Sequence, residues 1–210
     1  MNDKSFTVYL VDDDAGVLNA LSRLLRVKGY NVQAFNSPRE FLAKCDATAP
    51  ACVILDVAMP GLDGLHLQQE LLSKASLHPV IFLTGTGDIP TSMRAMQAGA
   101  LDFLTKPVSA DDLFRVIARA QEQNTRDRET DVDLRSIQAK MATLTEQESE
   151  VLARVVTGRL NRQIAHDLGT VETTIKAHRD RMMQKLGVHS LTDLVRMAEK
   201  ACIRTAAGKV

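Results

Sequence analysis

Five short apolar runs punctuate the first 120 residues: Thr7-Val8-Tyr9-Leu10-Val11, Val32 to Phe35, Cys52-Val53-Ile54-Leu55, Val80-Ile81-Phe82-Leu83 and Leu101-Asp102-Phe103-Leu104-Thr105. Each has the length of a strand. Between and after them, apolar residues change to helical spacing. Val17, Leu18, Leu21, Leu24 and Leu25 share one face, and Gly29-Tyr30 ends that helix. Ser37-Pro38 opens a second helix as cap and first-turn proline. Leu65, Leu67, Leu71 and Leu72 mark a third. Ile89-Pro90 opens a fourth, which Ala98-Gly99-Ala100 closes. Leu113, Val116, Ile117 and Ala120 mark a fifth. This alternation predicts an α/β domain over 1–120, a doubly wound, five-stranded parallel sheet.

The pattern then changes. No Gly or Pro occurs between Pro107 and Gly158, and Gln121 to Asp131 holds no apolar residue. The fifth helix is expected to run on as a helical linker over 121–143, outside any core. Leu134, Ile137, Met141 and Leu144 recur at spacings of three and four, a seam for docking on the next domain or on a second copy. Residues 144–210 read as a small all-α domain of four helices. Thr145-x-x-Glu148 is a capping box, and Val151, Leu152, Val155 and Val156 follow it as far as Gly158. A short helix from Gln163 to Leu168 turns at Gly169. Another spans about Glu172 to Leu186, and the last follows Ser190. Two helices joined by a tight glycine turn describe a helix-turn-helix unit.

Polar residues at the strand ends carry the chemistry. Asp12-Asp13-Asp14 follows the first strand, Asp56 ends the third, Thr84 the fourth, and Lys106-Pro107 follows the fifth. In parallel α/β sheets ligands bind at the carboxyl ends of strands. These carboxylates, a hydroxyl and an ammonium would share one crevice suited to a hard divalent cation and a phosphoryl group. Asp14 reads as the cap of the first helix and stands outside the site. On the helix from Glu172, Ile175, Met182 and Leu186 face inward. Thr173, Thr174, Lys176, Ala177, Asp180 and Arg181 remain available to base edges, and Asn161, Arg162, His178, Arg179 and Lys185 to phosphates.

The first set resembles the receiver domain of two-component response regulators, through Asp12-Asp13, Asp56 with Met59-Pro60-Gly61, Thr84 and Lys106-Pro107. Thr84-Gly85-Thr86-Gly87-Asp88-Ile89-Pro90 is similar to the FixJ-type branch. The second half resembles the LuxR/NarL/FixJ-type DNA-binding domain. That match lies in Leu144 to Glu148, Asn161-Arg162-Gln163-Ile164-Ala165, Thr174 to Arg179 and Lys185-Leu186-Gly187-Val188. The resemblance implies a phosphorylation-dependent transcriptional regulator. Asp56 would be the phosphoacceptor, a sensor histidine kinase the donor, and promoter half-sites on double-stranded DNA the target, with a homodimer forming on phosphorylation. It implies Mg²⁺ (or Mn²⁺) held directly by Asp13 and Asp56 and the Ala58 carbonyl, and through water by Asp12. Lys106 would pair with the phosphoryl group, and Thr84 and Phe103 would be the switch residues. Three positions depart from the pattern. Val171 stands where a capping Ser is usual, which would leave Thr170 to cap. Asp180 puts a carboxylate on the outward face, and Val108 replaces an aromatic residue after Lys-Pro.

Composition fits this reading without deciding it. Net charge is zero, yet residues 1–123 carry 11 Lys+Arg against 14 Asp+Glu, and residues 144–210 carry 11 against 8. An acidic, cation-binding unit joined to a basic one suits a metal and a polyanion. Three Cys with no CxxC spacing argue against disulfides and zinc. Without a membrane span or secretory leader, the expected location is the cytoplasm. Two rivals share part of the pattern. Asp12-x-Asp14, Thr84 and Lys106 imitate a Mg²⁺-dependent aspartyl phosphatase. An RNA-binding antiterminator would share the receiver, but the helix-turn-helix spacing speaks against it.

Overall fold

The computed structural model describes residues 6–59, 64–85 and 96–207, with side chains to residue 201. Five strands, β1 (Thr7–Val11), β2 (Asn31–Phe35), β3 (Ala51–Asp56), β4 (Val80–Thr84) and β5 (Asp102–Thr105), form one parallel sheet in the order β2-β1-β3-β4-β5. Helices α1 (Ala15–Val27), α2 (Pro38–Lys44), α3 (Gly64–Ser73) and α4 (Ala110–Met141) accompany it. The opening of the helix expected at Ile89-Pro90 lies outside the described residues. So do Pro60-Gly61 and Thr86 to Pro90 of the motif segments.

The three central strands β1, β3 and β4 are buried on both faces, which is why they read as near-unbroken apolar runs. Successive side chains go to opposite sides. Val8, Leu10, Cys52, Ile54, Ile81 and Leu83 pack with α1 and with Leu113, Val116, Ile117 and Ala120 of α4. Tyr9, Val11, Val53, Leu55, Val80 and Phe82 pack with Phe41 of α2 and Leu67 and Leu71 of α3. The helices start where the sequence provides caps: Asp14 Oδ1 accepts from the Gly16 and Val17 amides, and Ser37 Oγ from Glu40.

The chain divides into two compact units at Arg128/Glu129, within α4. The expectation that 121–131 contributes nothing to a core is corrected here. Asn124 is 1% exposed, and its Nδ2 donates to Leu77 O at 2.6 Å. Arg128 donates to Asn124 Oδ1, Thr48 O and Ala49 O. His78 also bonds Ala49 O, at 3.0 Å. A polar turn of helix is held by hydrogen bonds to backbone carbonyls, which hydrophobic periodicity cannot register.

The second unit contains the end of α4, then α5 (Glu146–Val155), α6 (Asn161–Asp167), α7 (Glu172–Leu186) and α8 (Leu191–Ala207). Val151, Val155, Ile164, Ile175, Met182, Leu186 and Leu194 form its core, with Met141 and Leu144 packed at the edge. Gly187 ends α7 at φ +69°, and its amide returns to Gln184 O and Met183 O, a left-handed cap suited to glycine. No helix among the described residues is long and apolar enough to cross a membrane.

Candidate functional site

Parallel strands in this order bring four carboxyl ends side by side. Asp12 leaves β1, with its amide on Phe35 O. Asp56 is the last residue of β3 and Thr84 the last of β4. Lys106 follows β5, with its amide on Thr84 O at 2.8 Å. The Lys106 ammonium lies 2.7 Å from Asp12 Oδ2 and 2.7 Å from Asp56 Oδ1. The Ala58 amide donates to Asp56 Oδ2 and the Asp14 amide to Asp12 Oδ1. Asp12 and Asp56 are buried and Asp13 is exposed, and one oxygen from each of the three lies within 4.8 Å of the others.

Burial pushes the Asp56 carboxyl up from its ordinary value, and the Lys106 hydrogen bond offsets part of this. Burial also works against the Lys106 ammonium, but hydrogen bonds to Asp12 and Asp56 outweigh it and raise its pKa. Three carboxylates against one ammonium leave net negative charge lined with hard oxygens, a donor set that fits a divalent cation such as Mg²⁺. Thr84 is buried, with its hydroxyl donating to Gly85 O at 3.3 Å. Phe103 stands out at 41% exposure.

In the second unit α7 buries Ile175, Met182 and Leu186. Thr173, Lys176, Ala177, Asp180 and Arg181 are exposed, and Thr174, His178 and Arg179 are half-buried. Arg179 Nη1 donates to Asn161 Oδ1 at 2.7 Å, joining α7 to the start of α6. An open hollow of about 480 Å³ lies there, lined by Leu160, Asn161, Arg162, Glu172 and Arg179. Among the described residues Lys176 and Arg162 form no ion pair, so both charges are available.

Comparison with known proteins assigns both units. Residues 8–118 match the response regulator receiver domain, and residues 142–198 match the luxR family of bacterial regulatory proteins. The chain belongs to the response regulators. Its relatives share the whole layout. It is 40% identical over 200 residues to the response regulator protein TmoT of Ectopseudomonas mendocina, covering 95% of this chain and 91% of that protein. It is 37% identical over 194 residues to the transcriptional regulatory protein FixJ of Rhizobium meliloti, covering 92% and 95%. The solved structure of the response regulator StyR, 38% identical, superposes with a TM-score of 0.78 and covers 93% of this chain and 99% of that one. Full-length FixJ from B. japonicum, 34% identical, gives 0.58 with 94% and 97% covered. This response regulator is therefore a transcriptional regulator of a two-component system, joining a receiver to a LuxR-type DNA-binding domain.

Two details of the regulator's DNA-binding unit bear on what was expected of Lys185 and Thr170. Lys185, expected at a phosphate, is engaged within the domain: its ammonium lies 2.6 Å from Glu148 Oε2 and 3.2 Å from Thr143 O. Glu148 is 3% exposed and also accepts from the Thr145 amide, so this lysine neutralises a buried capping carboxylate. Thr170 does not become the cap of α7. Val171 holds the cap position, and no side-chain hydrogen bond closes the helix start.

Gly64 was missed altogether. A Cβ there would lie 2.5 Å from Asp56 O, 3.0 Å from Phe82 Cε1 and 3.2 Å from Val57 Cα. The regulator's α3 therefore begins pressed against the strand end that carries Asp56. The signal in the sequence was a glycine just ahead of the apolar face of Leu65 and Leu67.

Proposed function

We propose that Asp56 of this regulator accepts a phosphoryl group from a sensor histidine kinase, with Lys106 as its resident countercharge. A carboxylate oxygen of Asp56 forms the new P–O bond as the P–N bond to the kinase histidine breaks, and the electron pair leaves with the imidazole. The single observation that carries this is the convergence of Asp12, Asp13, Asp56 and Lys106 at adjacent strand ends. The turnover of the molecule is confined to this phosphoryl group, its acceptance and loss.

Mg²⁺ at this site would neutralise the phosphoryl oxygens. Asp13 and Asp56, with the Ala58 carbonyl, would hold it directly. Asp12, which also holds Lys106 and the Asp14 amide, would contact it through water. Lys106 keeps its charge against a phosphoryl oxygen, Thr84 bonds another, and Phe103 turns inward. In the second unit Thr173, Thr174, Lys176, Ala177, Asp180 and Arg181 face base edges, and Asn161, Arg162, His178 and Arg179 hold phosphates.

The test is intact-mass spectrometry after incubation with a small phosphodonor and Mg²⁺. Wild type should gain one phosphoryl group and Asp56→Asn none. Full labelling of the Asn variant would sink the assignment. Sustained hydrolysis of a phosphate ester would favour a phosphatase instead.

A further inference from the structure

At the amino ends of the strands, opposite the phosphoacceptor, the receiver holds a second cavity of about 340 Å³. It is bounded by α3, the segment entering β4, the segment entering β5, and Gln123 and Asp127 of α4. Its walls are apolar, chiefly Leu71, Leu72, Leu77 and Leu101, and Leu72 is 55% exposed at the surface. The volume lies at the lower end of the range for small-molecule sites.

The cavity also holds polar groups with acceptors to spare. Each side-chain amide spends one N–H on a protein acceptor: Gln68 Nε2 on Ala98 O at 3.1 Å, and Gln123 Nε2 on Asp127 Oδ1 at 2.9 Å. His78 Nε2 is spent on Ala49 O. Two acceptors on this wall remain open. Gln68 Oε1 is fully buried and has no partner among the described residues. Asp127 is half-buried, keeps a second carboxylate oxygen, and pairs with no cation among the described residues. A buried acceptor without a donor costs about 1–3 kcal/mol. A group that donates and carries positive charge complements this wall, and an apolar body complements the leucines.

We propose that this cavity binds a small primary amine with an aromatic or branched apolar body, its ammonium on Asp127. The proposal is independent of the chemistry at Asp56. Its consequence for the receiver follows from position: Leu101, whose amide bonds Val80 O at 2.8 Å, leads directly into β5 and Phe103. An occupant would bear on the strand that carries the aromatic switch residue.

The experiment uses the full chain, with phenethylamine as probe and phenethyl alcohol and phenylacetate as matched neutral and anionic controls. Melting temperature and amide NMR shifts are the readouts. Phenethylamine should raise the melting temperature and shift the Leu101 and Gln123 resonances, and the controls should do neither. Asp127→Asn should weaken the amine by about tenfold or more, the loss expected for one charge-assisted hydrogen bond. Unchanged Asp56 labelling would show that this variant is folded. Equal stabilisation by the alcohol, full retention of binding by Asp127→Asn, or no response to the amine would each overturn the proposal.

Discussion

Gly64 shows how little room the strand that carries Asp56 has for error. Two of the three atoms its missing Cβ would meet are backbone, Asp56 O and Val57 Cα, and cannot swing aside. Gly64→Ala should therefore displace the start of α3 or the end of β3. The expected cost is about 1–3 kcal/mol of receiver stability, as for other overpacked sites. Phosphodonor labelling of Asp56 should also slow. A variant with unchanged denaturation midpoint and labelling rate would mean that the contact relaxes freely. At this scale the sequence was legible wherever chemistry and position coincide. Asp12, Asp13, Asp56 and Lys106 were visible because each ionisable group closes an apolar run, and the topology then gathers the ends. Gly64 carries no side chain to notice, and its importance exists only once α3 lies against β3. Lys185 illustrates what distance along the chain hides: its partner Glu148 lies 37 residues away.

Elements were legible to the extent that burial is apolar. All five strands and the helix from Glu172 to Leu186 followed from period and caps. The polar turn of α4 did not, because its partners are carbonyls 47 to 80 residues away. Arg128→Ala should release that turn. Loss of hydrogen bonds from a charged donor costs about 1.5–3 kcal/mol, and amide exchange from Asn124 to Arg128 should accelerate. Unchanged protection there would show that the clamp contributes nothing. The capping box of α5 makes a second prediction. The hydrogen bond from Lys185, followed by the Thr145 amide, lowers the Glu148 pKa from an ordinary 4.5 to about 2. A carboxyl held low in the folded state stabilises above its unfolded pKa and loses that contribution as pH falls through the folded value. Between about pH 4.5 and pH 2 the DNA-binding unit should weaken in wild type, and Glu148→Gln should remove that part of the slope. Parallel acid melts of the two proteins by circular dichroism would show it, and coincident slopes would refute the coupling. Lys185→Ala should behave as a folding variant and lower stability with little change in the salt dependence of DNA binding.

For the whole molecule, the unequal charge of the two halves and the exposed polar face of α7 bear on assembly. One domain of this size presents one helix to the major groove, whereas two copies on half-sites about one helical turn apart would double the readout. A phosphoryl group on Asp56 would carry about −1.5 to −2 charges where the carboxylate carried one, a net gain of about one negative charge or less. The expected outcome is a dimer formed through the receiver surface around β5. Sedimentation of the phosphorylated chain should show two copies, and of Asp56→Asn under the same conditions one. On DNA, Lys176→Ala should cost about 1–3 kcal/mol if it contacts a base edge, and the loss should depend on that base. Asp180→Asn should change the preferred base more than the affinity, since its carboxylate can accept from cytosine N4. Arg162→Ala should weaken all sequences alike and reduce the salt slope by about one. A binding-site selection at fixed salt separates these outcomes. If Lys176→Ala and Asp180→Asn both select the wild-type sequence with wild-type affinity, α7 is not the reading helix. The base contacts would then have to come from another face of the second unit.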